Sequence, residues 1–152
     1  MTVEKWNAGT ITTIASTELN SLANAASALG VEFNNTTDDY LYGIFELTVT
    51  FGTNPTAGRT VDLYIIPATD GTNYSTTITG ASGYAQSNSY AGSFPLQAVT
   101  TLQRLNAGGI GYRGLLYLPP VKFKAMLINN SGVAFPASGS TLKMIPYRRE
   151  SV

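Results

Sequence analysis

Three stretches of this chain alternate apolar and polar side chains residue by residue, a period that fits a strand and not a helix. Residues 40–51 place Phe45, Leu47, Val49 and Phe51 on one face, with Ile44, Glu46, Thr48 and Thr50 on the other. Residues 60–66 set Val61, Leu63 and Ile65 against Asp62, Tyr64 and Ile66. Pro67 has no N–H to give a ladder and ends that run. Residues 121–128 set Val121, Phe123, Ala125 and Leu127 against Lys122, Lys124, Met126 and Ile128. A strand that is apolar on one face needs a second layer to cover it, so the pattern asks for two packed sheets.

Weaker strand signals at residues 10–15, 94–105, 112–118, 133–136 and 142–147 bring the total to about eight, separated by turn chemistry. The turns are residues 52–58, Asp70-Gly71-Thr72-Asn73 and Asn129-Asn130-Ser131-Gly132. Residues 75–92 are small, polar and punctuated by tyrosine, and read as an extended surface loop. One window has helical spacing. Leu19, Leu22, Ala25 or Ala26, and Leu29 form a stripe, Ser16 or Thr17 offers an N-cap, and Gly30 offers a stop. The expected fold is all-β, an antiparallel β-sandwich or jelly roll with one short N-terminal α-helix. Residues 1–9 carry Trp6 without a periodic pattern and are expected as an arm, either disordered or laid across a neighbour. Residues 10–152 are expected as a single domain.

The chain has no histidine and no cysteine among its 152 residues. That removes imidazole bases, Ser-His-Asp and Cys-His nucleophile systems, thiolate metal sites and disulfides. Nine basic and nine acidic residues cancel, so there is no broad positive field for phosphates and no nucleic-acid partner is expected. No stretch approaches the ~20 apolar residues of a membrane-spanning helix, and no membrane partner is expected. No apolar core of signal-peptide length follows Met1, so the chain is expected to be made and kept in a cytoplasm. Asn-x-Ser/Thr triplets at Asn34, Asn35, Asn73 and Asn129 read as chance in a chain rich in Asn and Thr.

Carboxylates are the remaining catalytic option. Glu46 and Asp62 suit a glycosidase only if they face each other at ~5–9 Å. Cross-strand ion pairs with residues such as Lys122 and Lys124 explain them more simply. Asp38-Asp39 reads as a solvated turn. Asp70-Gly71-Thr72-Asn73 lacks the spaced acids of a calcium loop and also reads as a turn. The glycines at 108, 109 and 111 do not lie between a strand and a helix, so they form no phosphate loop. The chain is expected to be no enzyme, with no catalytic, metal or cofactor-binding residue.

Charged residues are only 12% of the chain, while tyrosines number nine. Tyrosine joins a large rigid apolar face to a polar tip, and charge depletion marks the cores of interfaces. Tyr74, Tyr84, Tyr90, Tyr112 and Tyr117 fall in stretches expected to be exposed, and Trp6, Tyr74, Tyr84, Tyr90 and Tyr112 are the candidate residues of an assembly interface. Residues 75–94 carry no charge at all.

Four segments resemble a family of small virion proteins of tailed bacteriophages: "TELNSLANAASAL" (17–29), "FELTVTFGTNPTAGRTVDLYIIPATDGTNY" (45–74), "LPPVKFKAMLINNSG" (118–132) and "ASGSTLKMIPYRRE" (137–150). The resemblance spans about half of the chain, and its middle block is the most specific. It implies a non-enzymatic particle protein with a jelly-roll-like sandwich. The role implied is a capsid decoration (cement) protein, a homotrimer clamping neighbouring major capsid subunits, located in the virion after assembly in the host cytoplasm. The alternative is a receptor- or glycan-binding module of a head or tail fibre.

Overall fold

A computed structural model describes residues 3–74, 89–109 and 114–151. In chain order the strands are β1 (Glu4–Ala8), β2 (Thr12–Ala15), β3 (Ser27–Phe33), β4 (Tyr42–Val49), β5 (Thr60–Pro67) and β6 (Tyr90–Pro95). They continue with β7 (Gln103–Asn106), β8 (Gly108–Gly109), β9 (Leu116–Tyr117), β10 (Phe123–Asn129) and β11 (Thr141–Ser151). The first sheet runs β1-β11-β4-β7, with β2 also on β11 and β9 also on β4; the second runs β3-β10-β5-β6-β8. Every pairing is antiparallel. The chain is an all-β sandwich of two antiparallel sheets, as its alternation requires.

The apolar faces read from the sequence meet between the sheets. Phe45, Leu47 and Val49 of β4 and Leu142 and Met144 of β11 face Val61 and Leu63 of β5 and Phe123, Ala125 and Leu127 of β10. Each large side chain buried there contributes roughly 1.5–3 kcal/mol. The pairing also follows a pattern along the chain. β5 pairs with β6, β4 with β7 and β9, β3 with β10, and β2 with β11. In these pairings the strands of the first half meet those of the second in reverse order, and β4–β11 and β5–β10 join the pairs into sheets.

The α-helix expected over residues 17–29 does not form. A single 3-10 turn covers Thr17–Leu19, and by Ser27 the chain is already in β3. Ser21 and Ala25 have φ of 52° and 63°, which no right-handed helix admits. Tertiary contacts override the stripe. Leu19 and Leu22 of the stripe are buried, but Ala25 is exposed, Ala26 and Leu29 are half-buried and Ala28, off the stripe, is buried instead, because the backbone between them is tied elsewhere. Ser21 N–H donates to the Pro136 carbonyl at 2.9 Å and Ala25 N–H to the Asn129 carbonyl at 2.6 Å. Gly30, expected as the helix stop, lies in β3, where a Cβ would press on the Ile14 carbonyl of β2.

Glu4–Ala8 lies along β11 of its own chain, Glu4 opposite Ser151 and Ala8 opposite Tyr147. β2 continues along the same edge, with Thr12 opposite Met144. The interruption between them has a cause in β11. The Pro146 carbonyl accepts from Gly9 N–H at 2.8 Å, so the donor that proline lacks faces the same edge. Gly9 is needed there. A Cβ on it would collide with the Tyr40 hydroxyl and lie 2.9 Å from Pro146 Cγ.

Two buried asparagines hold the loops. Asn129 donates to the carbonyls of Leu22 at 2.9 Å and Val133 at 2.8 Å, and accepts from Ser131 N–H. Asn35 donates to the carbonyls of Tyr40 and Pro119 and accepts from Tyr40 N–H. With both side chains buried, neither triplet that begins at these residues is open to modification in the folded chain. No helix among the described residues is long and apolar enough to cross a membrane.

Candidate functional site: an aromatic row on the first sheet

On the first sheet, the outer face carries every second residue of β4 and β11, the partners of the buried set. Near one end this face is apolar instead of polar. Tyr42 and Ile44 of β4 stand directly opposite Tyr147 and Ile145 of β11. Trp6 of β1 and Tyr117 of β9 flank them on either side. The Trp6 and Tyr42 rings meet edge to face at 5.3 Å, and Tyr42 and Tyr117 lie 4.9 Å apart at 41°. The three rings make a continuous row across the sheet. Trp6 is 48% exposed and Tyr117 69%, which is far from the buried setting such rings usually find.

Beside the row is an open depression of about 260 Å³ lined by Trp6, Ile44, Leu115 and Tyr147. It falls just short of the ~300 Å³ at which small-molecule pockets begin. Its size suits one inserted side chain or a single ring better than an enclosed substrate. The rim is charged but locally neutral. Arg149 lies 5.1 Å over the Trp6 ring and 3.4 Å from Glu4, and further along the sheet Arg104 sits 3.8 Å from Glu46. Such exposed pairs contribute little to stability, while the cation over an indole adds ~0.5–1 kcal/mol. The Tyr42 phenol is held above the ordinary tyrosine value, first by its hydrogen bond with Tyr117, then by burial.

The sequence-derived interface residues are not gathered at one place. Trp6 belongs to the row. Tyr90 stands on β6 of the other sheet, packed against Tyr64 at 5.4 Å. Tyr74 donates its hydroxyl to the Glu32 carboxylate and receives the Lys124 ammonium over its ring at 4.7 Å. Burial and that carboxylate push the Tyr74 phenol up to about 12. Tyr84 and Tyr112 lie outside the described residues. Tyr42 escaped the sequence reading, although an isoleucine two residues on, at Ile44, already marked the nominally polar face of β4 as apolar at that end.

The carboxylates are dispersed. Glu46 lies on the outer face of the first sheet and Asp62 on that of the second, so they cannot flank one glycosidic bond. Neither pairs with the lysines suggested by the sequence. Glu46 takes Arg104. Asp62 accepts from Asn130 and Thr60. Lys122 pairs with Glu32 at 3.3 Å. Asp70 closes its turn by accepting from the N–H groups of Thr72 and Asn73 and from the Asn73 amide, which lowers its pKa to about 2. Among the described residues no group of three or more acidic side chains is placed to hold a metal ion.

No protein-family model matches the chain, and neither the curated proteins nor the solved structures contain a match to it.

Proposed function

We propose that this chain is a non-enzymatic structural protein of a bacteriophage particle, a decoration or cement protein that binds the major capsid lattice as an oligomer. The trimeric form and the virion location rest on the resemblance of the four segments. The observation that carries the binding role is the exposed row Trp6–Tyr42–Tyr117 with the apolar depression beside it. Aromatic side chains standing in water over an apolar floor, rimmed by paired charges, have the composition of an interface core before its partner arrives. A low-charge surface of this kind attaches by many shallow contacts, and repetition on a symmetric lattice multiplies their affinity.

The strand order supports reading the sandwich as a jelly roll. Four of the pairings between the first half of the chain and the second have the order of one long hairpin wound into two sheets. That architecture recurs in capsid and lectin domains, an analogy of fold and not of site.

The copy number in purified particles tests the role. Hundreds of copies support decoration, and a handful would move the protein to a tail or fibre. Trp6→Ala and Tyr117→Ala test the surface. Both side chains are exposed enough to leave folding intact, and each is expected to weaken rebinding to stripped particles at least tenfold. Wild-type rebinding by both variants would rule this face out. A second reading is favoured by the same row, since sugars stack on exposed aromatic rings. Glycan-array binding abolished by Trp6→Ala would replace decoration with receptor recognition.

A further inference from the structure

The Tyr42–Tyr117 pair has a chemistry of its own that does not depend on what covers this face. The Leu118 N–H donates to the Leu41 carbonyl at 3.0 Å, while the Leu41 N–H goes to the Tyr147 carbonyl, so a single bond places Leu41 and Leu118 at the hydrogen-bonding position of the β4–β9 ladder. Tyr42 and Tyr117, one step along the ladder, therefore form a non-hydrogen-bonded pair, the kind whose side chains come closest. Their rings touch at 4.9 Å and are tilted by only 41°. Tyr117 is open to solvent, and the Trp6 indole touches Tyr42 from the other side. We propose that Tyr42 and Tyr117 are a site of oxidative cross-linking, forming an intrachain dityrosine when the chain meets a one-electron oxidant.

Two equivalents of oxidant each take one electron from a phenol, whose hydroxyl proton goes to water. The two phenoxyl radicals join through their ortho carbons. Each coupled carbon then returns its hydrogen, through solvent, to the phenol oxygen as the ring becomes aromatic again. The net loss is two hydrogen atoms, with both electrons on the oxidant. The bond staples β9, a strand of only two residues, to the centre of the first sheet. The Tyr64–Tyr90 pair is a less suitable site. Its rings stand at 69°, its register is broken between Leu63 and Tyr64, and Tyr64 is held partly buried.

The test is photo-oxidation of the full chain with a ruthenium(III) tris-bipyridyl oxidant, followed by fluorescence, denaturing electrophoresis and peptide mass mapping. The expected product is a monomer carrying dityrosine fluorescence, with residues 42 and 117 joined and two hydrogens lost, in a yield unchanged by dilution. Tyr117→Phe is expected to lose this product and Tyr90→Phe to keep it. Cross-links that join other tyrosines in its place, covalent dimers alone, or full yield in Tyr117→Phe would each overturn the assignment.

Discussion

Ala25 carries an exposed methyl group at φ 63°, where an L side chain crowds the following carbonyl. It is held there because its N–H closes onto the Asn129 carbonyl. Ala25→Gly removes the crowding and keeps the bond, and is expected to raise unfolding free energy by about 1 kcal/mol in urea titrations. Asn129 is the opposite case. Its buried side chain bonds two carbonyls and one N–H. Asn129→Ala orphans the Ser131 N–H, while the Leu22 carbonyl keeps the Phe135 N–H and the Val133 carbonyl keeps the Ser131 hydroxyl, and a loss of about 2 kcal/mol is expected. Asn130→Ala removes one partly exposed bond to Asp62 and should cost about 1 kcal/mol by the same titration.

At the scale of elements, the long first edge of the sandwich is built in two pieces because of one residue opposite it. Pro146 withholds the donor, and Gly9 carries the chain past Tyr40 and the proline ring. Gly9→Ala forces a methyl group into that contact and is expected to cost about 1–3 kcal/mol. Amide exchange should then rise in β1 while β4 keeps its protection. The strands with clean alternation were legible in the sequence because burial of one face leaves its mark on every second residue, as in Phe45, Leu47 and Val49. The segment 17–29 was not. Leu19, Leu22 and Ala28 do enter the core, but Asn24, whose side chain caps Gly132 N–H at 2.8 Å, and Asn129 bind the backbone into turns from over a hundred residues away. Nothing in a local window records such a bond. The site was legible at Trp6 and in the expectation that Tyr117 is exposed. Its row depends on bringing β1, β4 and β9 side by side, which is a property of strand order.

For the whole molecule, the absence of histidine leaves no side chain with an ordinary pKa between pH 5 and 8. Denaturation midpoints are expected to be flat across that range. The acid limb comes from Asp70, held at about 2, and from Glu18, Glu32 and Glu150, all lowered by hydrogen bonds. For groups lowered in the folded state, stability is present above the unfolded values near 4 and is lost as pH falls through the folded ones. Tyr74 has the opposite sign. Its contribution is present below about 10 and is lost as pH rises through about 12. A midpoint that moves between pH 5 and 8 would contradict this account.

The divided edge has a further consequence. A chain with so few charges has little electrostatic repulsion to keep copies apart, and a β-sandwich offers its outermost strands as templates for more strands. Along β11 that template is cut at residues 9–11, so an incoming strand finds no long unbroken row of donors and acceptors. Growth into fibres needs such a row. Backbone pairing at this edge is thereby held to two short stretches, β1 and β2 taken one at a time.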